Sequence, residues 1–221
     1  MAESAGSFSG FPIEAFDFYE TLEANNTRVW WADHKADYLR LIREPLANLL
    51  AELSEEFGQP HIFRPHRDAR FSKDKSPIKD HQGGTVEVED AIAYYVQVSA
   101  RGLLVAGGWY APAGQQLARY RESVDGPVGA RLEPIMSSIS GHFEIDGRKM
   151  KTHPRGFGAD HPRIDLMRNR ALVATRAYPV EPWLGTRKAL TTVRSDWRAL
   201  RPMVDWLADH VGPATEPGGD M

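Results

Sequence analysis

The chain of 221 residues contains no cysteine. Disulfides, thiolate nucleophiles and cysteine-ligated zinc sites are therefore excluded, and the absence fits a reducing compartment. A charge excess is missing as well: 27 Lys and Arg stand against 30 Asp and Glu, a net of −3. A general nucleic-acid binder or membrane-surface protein would carry a strong basic surplus. Nowhere do apolar residues run for the roughly 18 positions that a membrane-spanning helix needs. The opening MAESAGSFSGFP has neither the basic start nor the apolar run of a secretory leader. A soluble cytoplasmic protein is the expectation. No cofactor is implied, and nothing in the residues sets the oligomeric state.

What is present is enough for a core. Hydrophobic residues make up 42% of the chain and aromatics 10%, sufficient to fold without covalent or metal staples. Residues 1–8 and 212–221 read as disordered tails and residues 9–211 as a single domain. Phe11 to Leu22 suggest a short helix ended at Asn25-Asn26, with Asn26 or Thr27 capping the next. From about Thr27 to Phe57, Trp31, Tyr38, Ile42, Leu49 and Leu53 step by seven and four, one face of a long helix. Pro45 lies inside that pattern and should kink or divide it.

His61 to Arg64 reads as a strand entering a polar loop. Ala91–Val98 and Gly102–Trp109 read as an antiparallel hairpin, and Ala171–Tyr178 as a further strand. Asp146-Gly147 signals a second hairpin, between Phe143–Ile145 and Arg148–Met150. Helices are expected over Gln115–Val124, over Val128–Ser138, and along Val193, Trp197, Leu200, Val204 and Leu207, where Pro202 should bend or split the last. Helices at both ends of a run of strands describe an α+β domain, mainly antiparallel sheet flanked by N- and C-terminal helices.

One segment stands apart. HIFRPHRDARFSKDKSPIKDH, residues 61–81, carries six Lys or Arg against three Asp, while the other 200 residues are net −6. A basic loop on an acidic chain focuses field on a small anion or a phosphate backbone. Arg67 and Arg70 offer forked donors; Lys73, Lys75 and Lys79 offer point charges. The competing reading is that Asp68, Asp74 and Asp80 neutralise these cations internally. Ser72-Lys73-Asp74-Lys75 spells S-x-x-K, but Pro77 follows closely and no K-T-G accompanies it. The eight histidines form no H-E-x-x-H or H-x-H, and His61 and His66 are expected on opposite faces of a strand. No metal site is expected. His34, on the long helix, is a weak acid–base candidate set against an ordinary hydrogen-bonded surface histidine. Pro154-Arg155-Gly156 lacks the spacing of a dinucleotide loop and reads as a tight turn aiming Arg155 at the basic loop.

Gly10-Phe11-Pro12, Asn25-Asn26 with Trp30 and His34-Lys35, Pro154-Arg155-Gly156 and Leu200-Arg201-Pro202 occur beside the string Arg67-Asp68-x-Arg70-Phe71-Ser72-Lys73-Asp74-Lys75-x-Pro77-x-Lys79. Together, from about Phe8 to Leu207, they resemble the bacterial and fungal family named domain of unknown function 2461. That family usually has Phe at Trp31 and Tyr at Ile78. The resemblance implies a shared fold and brings no activity, substrate or cofactor. The expected function is a pocket for a phosphorylated or carboxylated small molecule, with catalysis there left as an open option. Arg67, Arg70, Lys73, Lys75 and Lys79 would face Lys35, Arg155 and His34. The alternative is a non-enzymatic interaction protein docking nucleic acid or an acidic partner through the basic loop.

Overall fold

A computed structural model describes residues 6–68, 74–146 and 148–214. It is a mixed α+β fold in which six strands form one sheet, ordered β1-β2-β3-β4-β6-β5. The strands are β1 (Pro60–Ile62), β2 (His81–Glu89), β3 (Ile92–Ser99), β4 (Gly102–Trp109), β5 (Glu144–Asp146) and β6 (Leu172–Tyr178). The helices are α1 (Glu14–Ala24), α2 (Arg28–Tyr38), α3 (Glu44–Phe57), α4 (Gly114–Asp125), α5 (Gly129–Ile139), α6 (Ile164–Met167) and α7 (Lys188–Val211). No described helix is long and apolar enough to cross a membrane.

The described residues fall into two compact units. The first comprises the chain up to Val86, Tyr95–Val105 and Ala177–Ser195. Its helical core follows the sequence period: Trp31, Tyr38, Ile42, Leu49 and Leu53 are all buried. Thr27 caps α2, its hydroxyl accepting from the Trp30 N–H at 3.2 Å. The break expected at Pro45 takes the form of a π-helical turn, Leu39–Arg43, joining α2 to α3. Pro45 has no N–H to return to the Leu41 carbonyl, and its ring would press on that turn. Widening the preceding turn, with the Glu44 N–H bonding back to the Leu39 carbonyl, relieves both problems without ending the helix.

No strand is expected from the sequence at residues 81–89, which form β2 and include Gly83-Gly84. Both glycines are there for space: a Cβ on Gly83 would lie 2.3 Å from the Tyr95 hydroxyl, and one on Gly84 2.5 Å from Leu50. The N-terminal segment also departs from expectation at its end. Phe8 is buried, and Arg187 donates to the Ser7 hydroxyl at 2.9 Å and the Phe8 carbonyl at 2.7 Å. The same guanidinium makes a forked pair with Glu52, at 2.9 and 2.6 Å, while Glu52 accepts from the Phe8 N–H at 2.8 Å. Residues 7 and 8 are thus bolted to α3; residues 1–5 lie outside the described residues.

This clamp carries a pH signature. Arg187, and after it the Phe8 N–H, outweigh burial and hold the Glu52 carboxyl at about 2, against an ordinary value of 4.5. Between these values the unfolded chain binds the proton that the folded chain refuses. The clamp's contribution is therefore complete above pH 4.5 and is lost as pH falls towards 2. Urea titrations across that window should show the wild type losing stability more steeply than Arg187→Leu; equal slopes would remove the clamp from the account.

The second unit comprises Glu87–Tyr94, Ala106–Arg176 and Asp196 onward. Trp109, Tyr120 and Trp206 meet ring to ring in its core. Residues 148–150 form no strand opposite Phe143–Ile145, as the hairpin expected at Asp146-Gly147 requires; Gly147 itself lies outside the described residues. β5 pairs antiparallel with β6, Ile145 opposite Ala174. Residues 148–150 leave instead towards Arg168, whose carbonyl accepts the Met150 N–H at 2.8 Å and whose Nε donates to the Met150 carbonyl at 2.8 Å. Gln116 donates to the Gly212 carbonyl at 2.8 Å and Asp90 accepts from the Ala214 N–H at 3.1 Å, so residues 212–214 are held. Residues 215–221 lie outside the described residues. Helix α7 is not divided at Pro202. Its stripe is buried on both sides of the proline, from Val193 and Trp197 to Val204 and Leu207, so packing overrides the one lost hydrogen bond.

Candidate functional site

Three lengths of the first unit enclose a cavity of about 590 Å³. Helix α2 contributes Trp31, Lys35 and Tyr38, at spacings that share one helical face. The π turn contributes Leu39 and Arg43, and the segment from His61 to His66, with Lys79, closes the other side. In a regular α-helix Arg43 would stand about 140° around the axis from Tyr38. The wider turn reduces that offset, and Arg43 lines the cavity with Tyr38.

A buried polar chain fixes this wall. The Tyr38 hydroxyl donates to Gln82 Oε1 at 2.6 Å. Gln82 Nε2 donates to the Phe63 carbonyl at 2.8 Å and the Gly83 carbonyl at 2.9 Å. These bonds set which way the Gln82 amide faces and tie the helix wall to the strand wall. Burial pushes the Tyr38 phenol up, with Arg43 opposing; the group is a neutral brace whose O–H is engaged in the hydrogen bond to Gln82.

The lining has one sign of charge. Lys35, Arg43, Arg64 and Lys79 face the cavity with the imidazoles of His61 and His66, and no Asp or Glu is among the described lining residues. Lys79 Nζ stands 5.4 Å over the Phe63 ring. Burial first, then the like charges of Arg64 and Arg67, push its pKa below the usual lysine value. Trp31, Leu39, Ile62, Phe63 and Pro65 supply apolar surface. The result is an apolar pocket with a cationic lining, the form suited to a small anion.

The basic loop doubles back on itself. His66 bridges Ile78 antiparallel, the Arg67 N–H donates to the Pro77 carbonyl at 2.9 Å, and the Lys79 N–H to the Pro65 carbonyl at 2.8 Å. Asn26 clamps the returning arm through both halves of its amide: Nδ2 donates to the Ile78 carbonyl at 2.9 Å and Oδ1 accepts the Ile78 N–H at 3.2 Å. Beside this arm lies a second cavity of about 1090 Å³, sharing Trp31, Arg64 and His66 with the first and adding Arg28, Arg67, Asp68 and Lys75.

Arg67 is engaged internally, 3.2 Å from Asp74 and 3.6 Å from Asp80. Burial acts to raise the Asp80 pKa, but His81 at 2.8 Å and Arg67 together hold it below its usual value. For this arginine the internal ion-pair reading describes the geometry. Lys75 is exposed in the second cavity, and Lys35 and Lys79 line the first. Arg70, Lys73 and Ser72 lie outside the described residues. Arg155 is exposed on a tight turn of the second unit, where the Phe157 N–H donates to the Pro154 carbonyl at 3.2 Å; it lines neither cavity.

His34 also lines neither. Its ring stacks on Trp30 at 4.0 Å, and its Nδ1 is 2.8 Å from the Trp30 carbonyl, as expected of a helix-surface histidine. His61 and His66, expected on opposite faces, line the same cavity. The strand ends at Ile62, and alternation ends with it. Sequence reasoning missed Arg43, Arg64, Tyr38 and Gln82 as site residues. Arg64 was legible within the basic segment's charge excess; Gln82 carried no signal.

A family model described as "Conserved hypothetical protein (DUF2461)" matches residues 14–206. No curated protein and no solved structure matches the chain.

Proposed function

The chain belongs to the DUF2461 family of conserved hypothetical proteins, and from its geometry we propose that it binds a phosphorylated or carboxylated small molecule in the cavity between α2 and the β1 segment. The observation that carries this reading is the lining: four Lys or Arg side chains and two histidines, with no carboxylate among the described lining residues. Bringing like charges together opposes folding unless something offsets it. An anion does so and gains charge-assisted hydrogen bonds from the same groups.

Thermal unfolding with inorganic pyrophosphate tests the reading. A ligand that binds only the folded chain stabilises it by about 2.7 kcal/mol at 100 times its Kd, so the melting temperature should rise with pyrophosphate. Part of the lining is exposed, so the rise should shrink as sodium chloride is added. No rise at any pyrophosphate concentration would overturn the proposal. A larger rise with an oligonucleotide than with pyrophosphate would favour docking on nucleic acid instead.

A further inference from the structure

We propose that Lys79 is a covalent amine, and that the cavity takes an aldehyde or ketone carrying a phosphate or carboxylate and joins it to Lys79 as an imine. The inference rests on the anion reading above and adds the reactive group of the ligand.

Lys79 differs from the other cations of the cavity by its setting. Its backbone is fixed where the loop returns, through the hydrogen bond to the Pro65 carbonyl. Its side chain is half-buried, with Nζ against the Phe63 face. The charges acting on it come from Arg64 and Arg67, both of its own sign. Lys35, by contrast, is exposed on α2. Only a neutral amine has the lone pair that attacks a carbonyl. Desolvation and a neighbouring cation are the two devices that make lysine such a nucleophile near neutral pH, and both act here.

The chemistry balances within the site. The Nζ lone pair forms a bond to the carbonyl carbon as the π pair moves to oxygen. Nitrogen then loses a proton and oxygen gains one, giving a carbinolamine. A second proton lets that oxygen leave as water while the nitrogen pair closes the C=N bond. One water is released per imine, and no oxidant or reductant is consumed. Arg43 and Arg64 hold the anionic group, and the imidazoles of His61 and His66 can pass the proton from nitrogen to the departing oxygen.

The test is reductive trapping on the full chain. Pyridoxal 5′-phosphate, pyridoxal and glyoxylate are each incubated with the protein and borohydride, and adducts are located by peptide mass mapping. The expected result is one adduct per chain, on Lys79, forming at least about ten-fold faster with pyridoxal 5′-phosphate than with pyridoxal, because the phosphate supplies charge-assisted contacts. Trapping with glyoxylate on Lys79 extends the class to carboxylates; none restricts it to phosphates. Lys79→Arg, which keeps the charge and removes the amine, should lose the adduct, and Lys188→Arg, at a lysine that lines neither cavity, should keep both the adduct and the pyrophosphate stabilisation. Adducts scattered over surface lysines, or none on Lys79 while pyrophosphate still stabilises, would overturn the imine and leave the anion reading standing. No adduct and no stabilisation would overturn both.

Discussion

Arg64→Glu is expected to weaken pyrophosphate binding by on the order of 100-fold while leaving the ligand-free melting temperature almost unchanged. Arg64 lines both cavities and is exposed. It enters no ion pair among the described residues, so replacing it takes no brace from the fold, and a surface substitution of that kind moves stability by no more than roughly 0.5 kcal/mol. On the proposed anion reading, binding does depend on its charge. A hydrogen bond to a charged group is worth roughly 1.5–3 kcal/mol, and the new carboxylate adds repulsion to that loss. Arg67→Ala should behave in the opposite way. It removes one brace from Asp74 and Asp80, which keep their contacts to Ser76 and His81, so the ligand-free protein should lose some stability. Isothermal titration with pyrophosphate, paired with melting curves without it, separates the two patterns. Unchanged affinity in Arg64→Glu would remove that arginine from the site.

Leu49→Ala should lower the unfolding free energy by roughly 2–5 kcal/mol, a large fraction of the roughly 5–15 kcal/mol that holds a typical domain together. Leu49 lies on α3 with no accessible surface, beside Leu46, Leu50 and Leu53, which are equally buried. Truncation removes apolar contact and leaves a void that these close-packed neighbours can only partly refill. In urea the transition midpoint should fall at unchanged slope. An unchanged midpoint would mean that this face of the helix does not pack as described.

The long helix was legible because packing repeats along it. Trp31, Tyr38, Ile42, Leu49 and Leu53 mark its buried face in the sequence and in the structure alike. Arg43 was not legible for a related reason. The π turn shifts the helical phase between Tyr38 and Glu44, so a constant period places Arg43 on the wrong side. The charge excess of residues 61–81 pointed to the right segment but could not divide its cations. Which carboxylate meets Arg67 depends on the loop's antiparallel return, where Pro77 pairs back to Arg67 and Ile78 to His66. Charge counted along a chain holds no record of that return. Asn26 was read as a helix stop; its clamp on Ile78 is made 52 residues away in sequence, beyond the reach of local pattern. Asp146-Gly147 carried a strong turn signal, but a turn signal does not choose the strand's partner, and β6 supplied it.

The central claim is that the cavity between α2 and the β1 segment is an anion site. The most direct measurement is a crystal structure of the protein grown or soaked with tungstate, a phosphate-like anion that reveals itself by anomalous scattering. The account predicts the strongest anomalous peak within hydrogen-bonding reach of Arg43, Arg64 and Lys79. A strongest peak beside Arg28 and Lys75 in the second cavity, or on the second unit, would contradict it.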